Sequence, residues 1–211
     1  INSLTIQSGS NIANGITNDS NIGSLIVNEN VSYSGSGSIS NTLEVAQGDT
    51  LTIGGNGTLN FDSDNGTINN AGTINGNITN IADSILTDFT NSGSISGTFT
   101  NEGHIVKFVN TDTGSINNFV NDKTISFFEN NGTIANFSGT GTIYGVINSK
   151  TITNSFENVA TSLWNKENAL ITGNVALKGA KQDCSDSGST ICNTSDLINE
   201  GTITGNVTNE A

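Results

Sequence analysis

The 211 residues contain no proline, no methionine and no arginine, and only one histidine, one tryptophan and two cysteines. Each shortage excludes something. Without arginine the chain lacks the bidentate fork that phosphate and carboxylate sites use. Six lysines against nineteen acids leave a formal charge of −13, which repels nucleic-acid backbones and argues against a nucleic-acid partner. Two cysteines without a second Cys or His pair cannot supply the four ligands of a structural zinc site. No stretch approaches the ~18–20 apolar residues of a membrane-spanning helix. The first residues, Ile1-Asn2-Ser3-Leu4-Thr5-Ile6, carry neither an initiator methionine nor a basic leader region. The chain therefore reads as a piece of a longer protein, with any export signal or anchor outside this window. Charged residues are 12% and hydrophobic ones 33%, too few for a bundle or doubly wound domain, where they run near ~25% and ~45–50%. Disorder fits no better, because disordered chains are rich in charge and proline, whereas this one is densely supplied with Ile and Phe.

What is present is Gly, Asn, Thr and Ser, together roughly half of the chain, arranged in a repeat. The unit Asn-x-Gly-Thr-Ile recurs, as in Asn131-Gly132-Thr133-Ile134 and Asn199-Glu200-Gly201-Thr202-Ile203. Asn121-Asp122-Lys123-Thr124-Ile125 and Asn148-Ser149-Lys150-Thr151-Ile152 keep the frame with Lys in the Gly slot. A second apolar residue follows three or four positions later, such as Phe99 after Ile95, Phe128 after Ile125 and Phe137 after Ile134. Two inward anchors separated by polar residues, with Asn and Gly between units, describe short strands meeting at tight corners. Sustained helical periodicity is absent. In the first sixty residues the same idea takes the form of apolar-polar-apolar triplets, including Leu4-Thr5-Ile6, Leu25-Ile26-Val27 and Leu43-Glu44-Val45. Their spacing predicts coils of about twenty residues, each carrying two half-turns.

The expected fold is all-β: a parallel β-helix of roughly ten coils forming one body over residues 1–211. One coil cannot enclose its own Ile and Phe, but stacked coils align them into ladders and pair each backbone group with the coil above and below. Thr suits the outer face, and corner Asn can form side-chain ladders. The regularity fades between 158 and 197, which predicts an insertion or side loop there.

Gly72-Thr-Ile-Asn-Gly-Asn-Ile-Thr-Asn80, Gly93-Ser-Ile-Ser-Gly-Thr-Phe-Thr-Asn101 and Gly201-Thr-Ile-Thr-Gly-Asn-Val-Thr-Asn209 resemble the passenger domains of bacterial autotransporters. The style is that of the Asn/Gly/Thr-rich passengers of Campylobacter and Helicobacter, relatives of the vacuolating cytotoxin included. The resemblance covers most of residues 1–157 and 198–211. It implies a right-handed β-helix displayed on the outer membrane or secreted, acting in adhesion, aggregation or host-cell interaction as a virulence factor. Its partner would be a host surface protein or glycan, or another copy of itself. Two alternatives come from other classes: a toxin-like passenger that oligomerises on host membranes, and a polysaccharide-acting β-helix enzyme.

Candidate functional residues are few. His104 occupies a slot usually filled by Thr or Ser, so it reads as an outward repeat variant rather than a catalyst. Asp62, Asp64, Asp83 and Asp88 are the densest acidic stretch, and a solvated corner explains them better than a catalytic pair. Gly54-Gly55-Asn56-Gly57 begins like a calcium-binding nonapeptide, but Leu59 stands where a ligand Asp belongs. No metal, cofactor or enzymatic activity is expected. Cys184 and Cys192 bracket seven residues; a short disulfide loop formed in an oxidising compartment is the expectation, with two free thiols as the alternative. Trp164 either packs the insertion onto the rod or offers a ligand contact, accompanied by Lys166, Lys178 and Lys181. Glu129-Asn130-Asn131-Gly132-Thr133 presents Asn131 as a candidate glycosylation site, with the preceding acid that the Campylobacter system favours.

Overall fold

The computed structural model describes residues 1–54, 57–154, 156–178 and 196–209. These form 24 strands and no helix, from Ser3–Ile6 to Val207–Asn209, and the strands stack in parallel as a β-solenoid. One inward ladder runs Leu4, Leu25, Leu43, Ile68, Phe89, Phe108, Phe128, Val146, Leu163, Leu197. A second runs Leu51, Ile74, Ile95, Ile116, Ile134, Ile152, Ile171, Ile203. The triplets and the Asn-x-Gly-Thr-Ile units are thus rungs of one core, buried except at the terminal Leu4, Leu197 and Ile203.

Side-chain alternation explains the economy of that core. In the strand Thr124–Asn130, Ile125, Phe128 and Asn130 point inward while the residues between them face out. Phenylalanines on successive coils then stack: Phe89 on Phe108 at 4.7 Å and 12°, and Phe108 on Phe128 at 4.6 Å and 5°. A facing column stacks Phe99, Phe119 and Phe137, and Phe108 meets Phe119 edge-on at 4.8 Å and 73°. Rings in these offset and T-shaped arrangements gain beyond the area they bury.

Asparagine fills the inward position at the strand ends. Asn70, Asn91, Asn110, Asn130, Asn148, Asn165 and Asn199 form a chain in which each Nδ2 donates to the next Oδ1 at 2.8–2.9 Å. Asn80, Asn101 and Asn121 form a shorter one. Such a chain has a direction, so its first acceptor lacks a donor: the Oδ1 atoms of Asn70 and Asn80 are buried and unpaired. Beneath them in register lie Val45 and Phe61, which have nothing to donate. The shorter ladder stops where Gly139, at φ 114°, takes the next rung. The corners bring coils close enough that a Cβ on Gly132 would run into the carbonyls of Gly114 and Thr111. Gly132→Ala is therefore expected to cost about 1–3 kcal/mol, the range for overpacking, measured by denaturant unfolding.

Two sequence expectations need adjustment. The turns fall slightly short of the ten coils expected, because coil length varies. Steps along the long asparagine ladder are 21, 19, 20, 18 and 17 residues, and then 34 from Asn165 to Asn199. The irregular stretch is also narrower than 158–197. Phe156–Asn165, Leu170–Ile171 and Val175–Leu177 are strands in the stack, paired with the coils on both sides. The sequence looked irregular because the register slips between Ile143/Val159 and Gly145/Ser162, which displaces the Ile-x-x-Phe pattern.

Candidate functional site

Outward positions on a solenoid carry function, because inward ones are committed to the ladders. Over most of this surface they are Thr, Ser or Asn. The sheet built from His104–Asn110, Thr124–Asn130, Thr142–Asn148, Phe156–Asn165 and Asp196–Asn199 departs from that rule. One of its outward columns runs Val109, Glu129, Ile147, Trp164, Ile198, and the next contains Phe127, Gly145 and Ser162. Tyr144 stands beside Gly145 and is 42% exposed, Trp164 is 39% exposed and Ile198 is 52% exposed. Aromatic side chains on three consecutive coils, with Ile147 and Ile198, make an apolar strip on this face, while Ile1, Ile12 and Val207 are exposed singly elsewhere.

The strip has polar borders. The Trp164 indole Nε1 donates to Glu200 Oε2 at 3.0 Å, and the Lys166 ammonium lies 5.2 Å from the ring centroid. Both contacts hold the indole against its coil. Trp164 is thus a strand residue facing outward, rather than part of a side loop. On the other border His104 Nε2 and Ser126 Oγ are 2.8 Å apart. Lys107 pairs with Asp88 at 3.6 Å, both half-exposed.

The other predicted residues scatter. Lys178 is exposed just past the strand Val175–Leu177, on a different part of the coil from Trp164. Cys184, Cys192 and Lys181 lie outside the described residues. Asn131 sits at a corner, half-buried, and its Nδ2 donates to Glu129 Oε1 at 2.8 Å. The four aspartates do not converge. Asp62 and Asp64 line one open depression of about 340 Å³, Asp83 lines another of about 260 Å³ beside His104, and Asp88 is paired with Lys107. Among the described residues, no three His, Cys, Asp or Glu side chains gather as a metal cluster. Among the described residues two titrating groups are displaced, both in the first coils and away from the strip. Backbone N–H groups of Gly9 and Asn30 hold the Glu29 carboxyl below its usual range. Burial raises the Tyr33 phenol, against a hydrogen bond from Asn18 that lowers it.

The sequence reading missed Phe127, Tyr144, Gly145, Ile147 and Ile198. A signal was available: in Gly141-Thr-Ile-Tyr-Gly-Val-Ile-Asn148, Tyr144 and Ile147 occupy the outward slots that Ser126 and Glu129 fill in the repeat Thr124–Asn130. Among the described residues, no helix is long and apolar enough to cross a membrane. No protein-family model, curated protein or solved structure matches the chain.

Proposed function

We propose that this solenoid is a non-enzymatic binding module, a passenger of the autotransporter kind displayed on or secreted from a bacterial cell, which attaches to host surfaces through the strip around Tyr144 and Trp164. One observation carries the reading: Tyr144, Trp164 and Ile198 stay exposed on successive coils of one face. Keeping them in water has a cost that burial against a partner would recover. Trp and Tyr are also the side chains over-represented among residues that dominate binding energy. The repeat text, with its resemblance to autotransporter passengers, supports the surface setting.

The test is retention on epithelial cells. A Tyr144→Ser/Trp164→Ser variant is expected to bind about tenfold less than the parent or worse, the loss that ~1.4 kcal/mol produces. A Thr79→Ala/Thr100→Ala variant, altered on strands that do not carry the strip, is expected to bind normally. Equal retention of all three proteins would reject the reading.

A further inference from the structure

Asn14, Asn56, Asn65, Asn75 and Asn131 each precede a glycine. Such a pair carries its own reaction, because a glycine nitrogen, with no side chain beside it to hinder approach, can reach the Cγ of the preceding asparagine. The attack requires that nitrogen to shed its proton, so a hydrogen bond to the N–H, or burial away from water, opposes it. Asn56 lies outside the described residues. The Gly15 N–H donates to Ile12 O at 3.0 Å. Gly66 is buried against the Phe61 ring. Gly132 is buried at its corner, and the Asn131 amide is tied to Glu129. Asn75 and Gly76 escape all of these restraints. Asn75 is exposed, and Gly76 is half-exposed in the break between the strands Thr73–Asn75 and Asn77–Asn80. Among the described residues nothing accepts a hydrogen bond from the Gly76 N–H. The fold also holds glycine at this position, since φ is 135° and a Cβ would lie 2.6 Å from Ile53 Cβ. One coil on, Ser96 Oγ donates to Asn75 Oδ1 at 3.0 Å. That bond draws electrons from the amide carbonyl and is placed to stabilise the oxyanion that attack creates.

We propose that Asn75 is a self-modification site, converting to aspartate and isoaspartate through a cyclic imide formed with Gly76. The Gly76 nitrogen gives its proton to solvent hydroxide and bonds to Asn75 Cγ. The Cγ–Nδ2 bond breaks, and the amide nitrogen takes a proton from water and leaves as ammonia. Water then opens the imide in one of two ways. Cleaving the bond from nitrogen to Cγ leaves aspartate in an ordinary chain. Cleaving the bond to the main-chain carbonyl routes the chain through the side chain, which lengthens the backbone by one carbon. Either product adds a negative charge. The longer one also falls where Asn75 pairs with Thr52 of the preceding coil, so it loosens that joint of the solenoid while the aspartate form preserves it.

The whole folded chain is held at mildly alkaline pH, beside a sample in denaturant, and peptides from both are sequenced by mass spectrometry over time. Each conversion is read as the mass change of an amide becoming an acid. In the folded protein Asn75 is expected to convert at least about tenfold faster than Asn14, Asn65 or Asn131. In denaturant the four are expected to convert at similar rates, since each is followed by the same glycine and the fold no longer distinguishes them. Ser96 is exposed, so Ser96→Ala is expected to melt with the parent and to slow Asn75 about threefold when folded, with no effect in denaturant. Conversion of Asn75 no faster than the other three in the folded protein overturns the proposal. A folded Ser96→Ala protein that reacts at the parent rate rejects the part assigned to the Ser96 hydroxyl.

Discussion

Replacing Phe108 with alanine is expected to lower stability by about 3–5 kcal/mol, the range for deleting a buried phenylalanine. The ring is fully buried, sandwiched between Phe89 and Phe128, and touched edge-on by Phe119. Its removal strips the coil of packing partners on both sides at once. Solenoid stability is close to a sum of coil and nearest-neighbour terms, so the loss falls on two adjacent interfaces. Scanning calorimetry is expected to show a drop of roughly 10 °C, taking ~2–4 °C per kcal/mol for a chain of this size, and amide exchange should accelerate around residues 89–128 first. Phe127→Ala supplies the contrast. Phe127 points outward and is half-buried, next to the fully buried Phe128, so its truncation is expected to cost under about 1 kcal/mol. Equal losses at positions 108 and 127 would contradict the assigned faces of the strands.

Asn110→Leu is expected to cost about 2–5 kcal/mol although the replacement is apolar and similar in size. The Asn110 Nδ2 donates to Asn130 Oδ1 at 2.9 Å and Gly114 O at 3.3 Å, and its Oδ1 accepts from Asn91 at 2.8 Å. Leucine leaves Asn130 Oδ1 without its donor in a buried site, and each such orphan costs ~1–3 kcal/mol. Asn110→Asp adds a pH signature. A carboxylate there would face Asn130 Oδ1 and Gly114 O, acceptors that favour the protonated acid, so the folded-state pKa rises above the unfolded ~3.9. The unfolded chain then releases its proton first. The variant's stability relative to the parent is greatest below about pH 3.9 and falls as pH rises through the elevated folded value. Melting temperatures of parent and variant measured between pH 3 and 8 check this; a gap that does not widen with pH would refute the ladder's donor direction.

The legible and illegible parts of this protein divide along a physical line. The isoleucine and phenylalanine rungs could be read from the chain because burial imposes the same apolar choice coil after coil. Thus Leu4, Leu25 and Leu43 were visible as equivalent before any coordinates, and they are in register. The corners were visible for a related reason: at positions such as Gly132 a Cβ would meet the carbonyls of the coil beneath, which favours Gly there although Lys150 fills the equivalent slot one coil on. Asparagine was foreseen as a corner ladder, but its burial was not, because a polar residue inside a core is stable only when a like residue lies above it, and that depends on register. The stretch from 158 to 197 read as an insertion, although its strands up to Leu177 belong to the stack, because one slipped position between Ile143/Val159 and Gly145/Ser162 breaks the spacing without breaking the stack.

Composition and periodicity thus settled the all-β stacked architecture, since a chain with 33% hydrophobic residues can close a core only by lending each rung to its neighbours. Periodicity along one chain could not assemble the strip. Phe127, Tyr144, Ile147, Trp164 and Ile198 belong to four different strands, and a residue that leaves the repeat pattern looks like local noise until register sets it beside the next. Only the parallel stacking decided that these departures share one face, because adjacency across coils is created by the hydrogen-bonded register and has no counterpart in chain order.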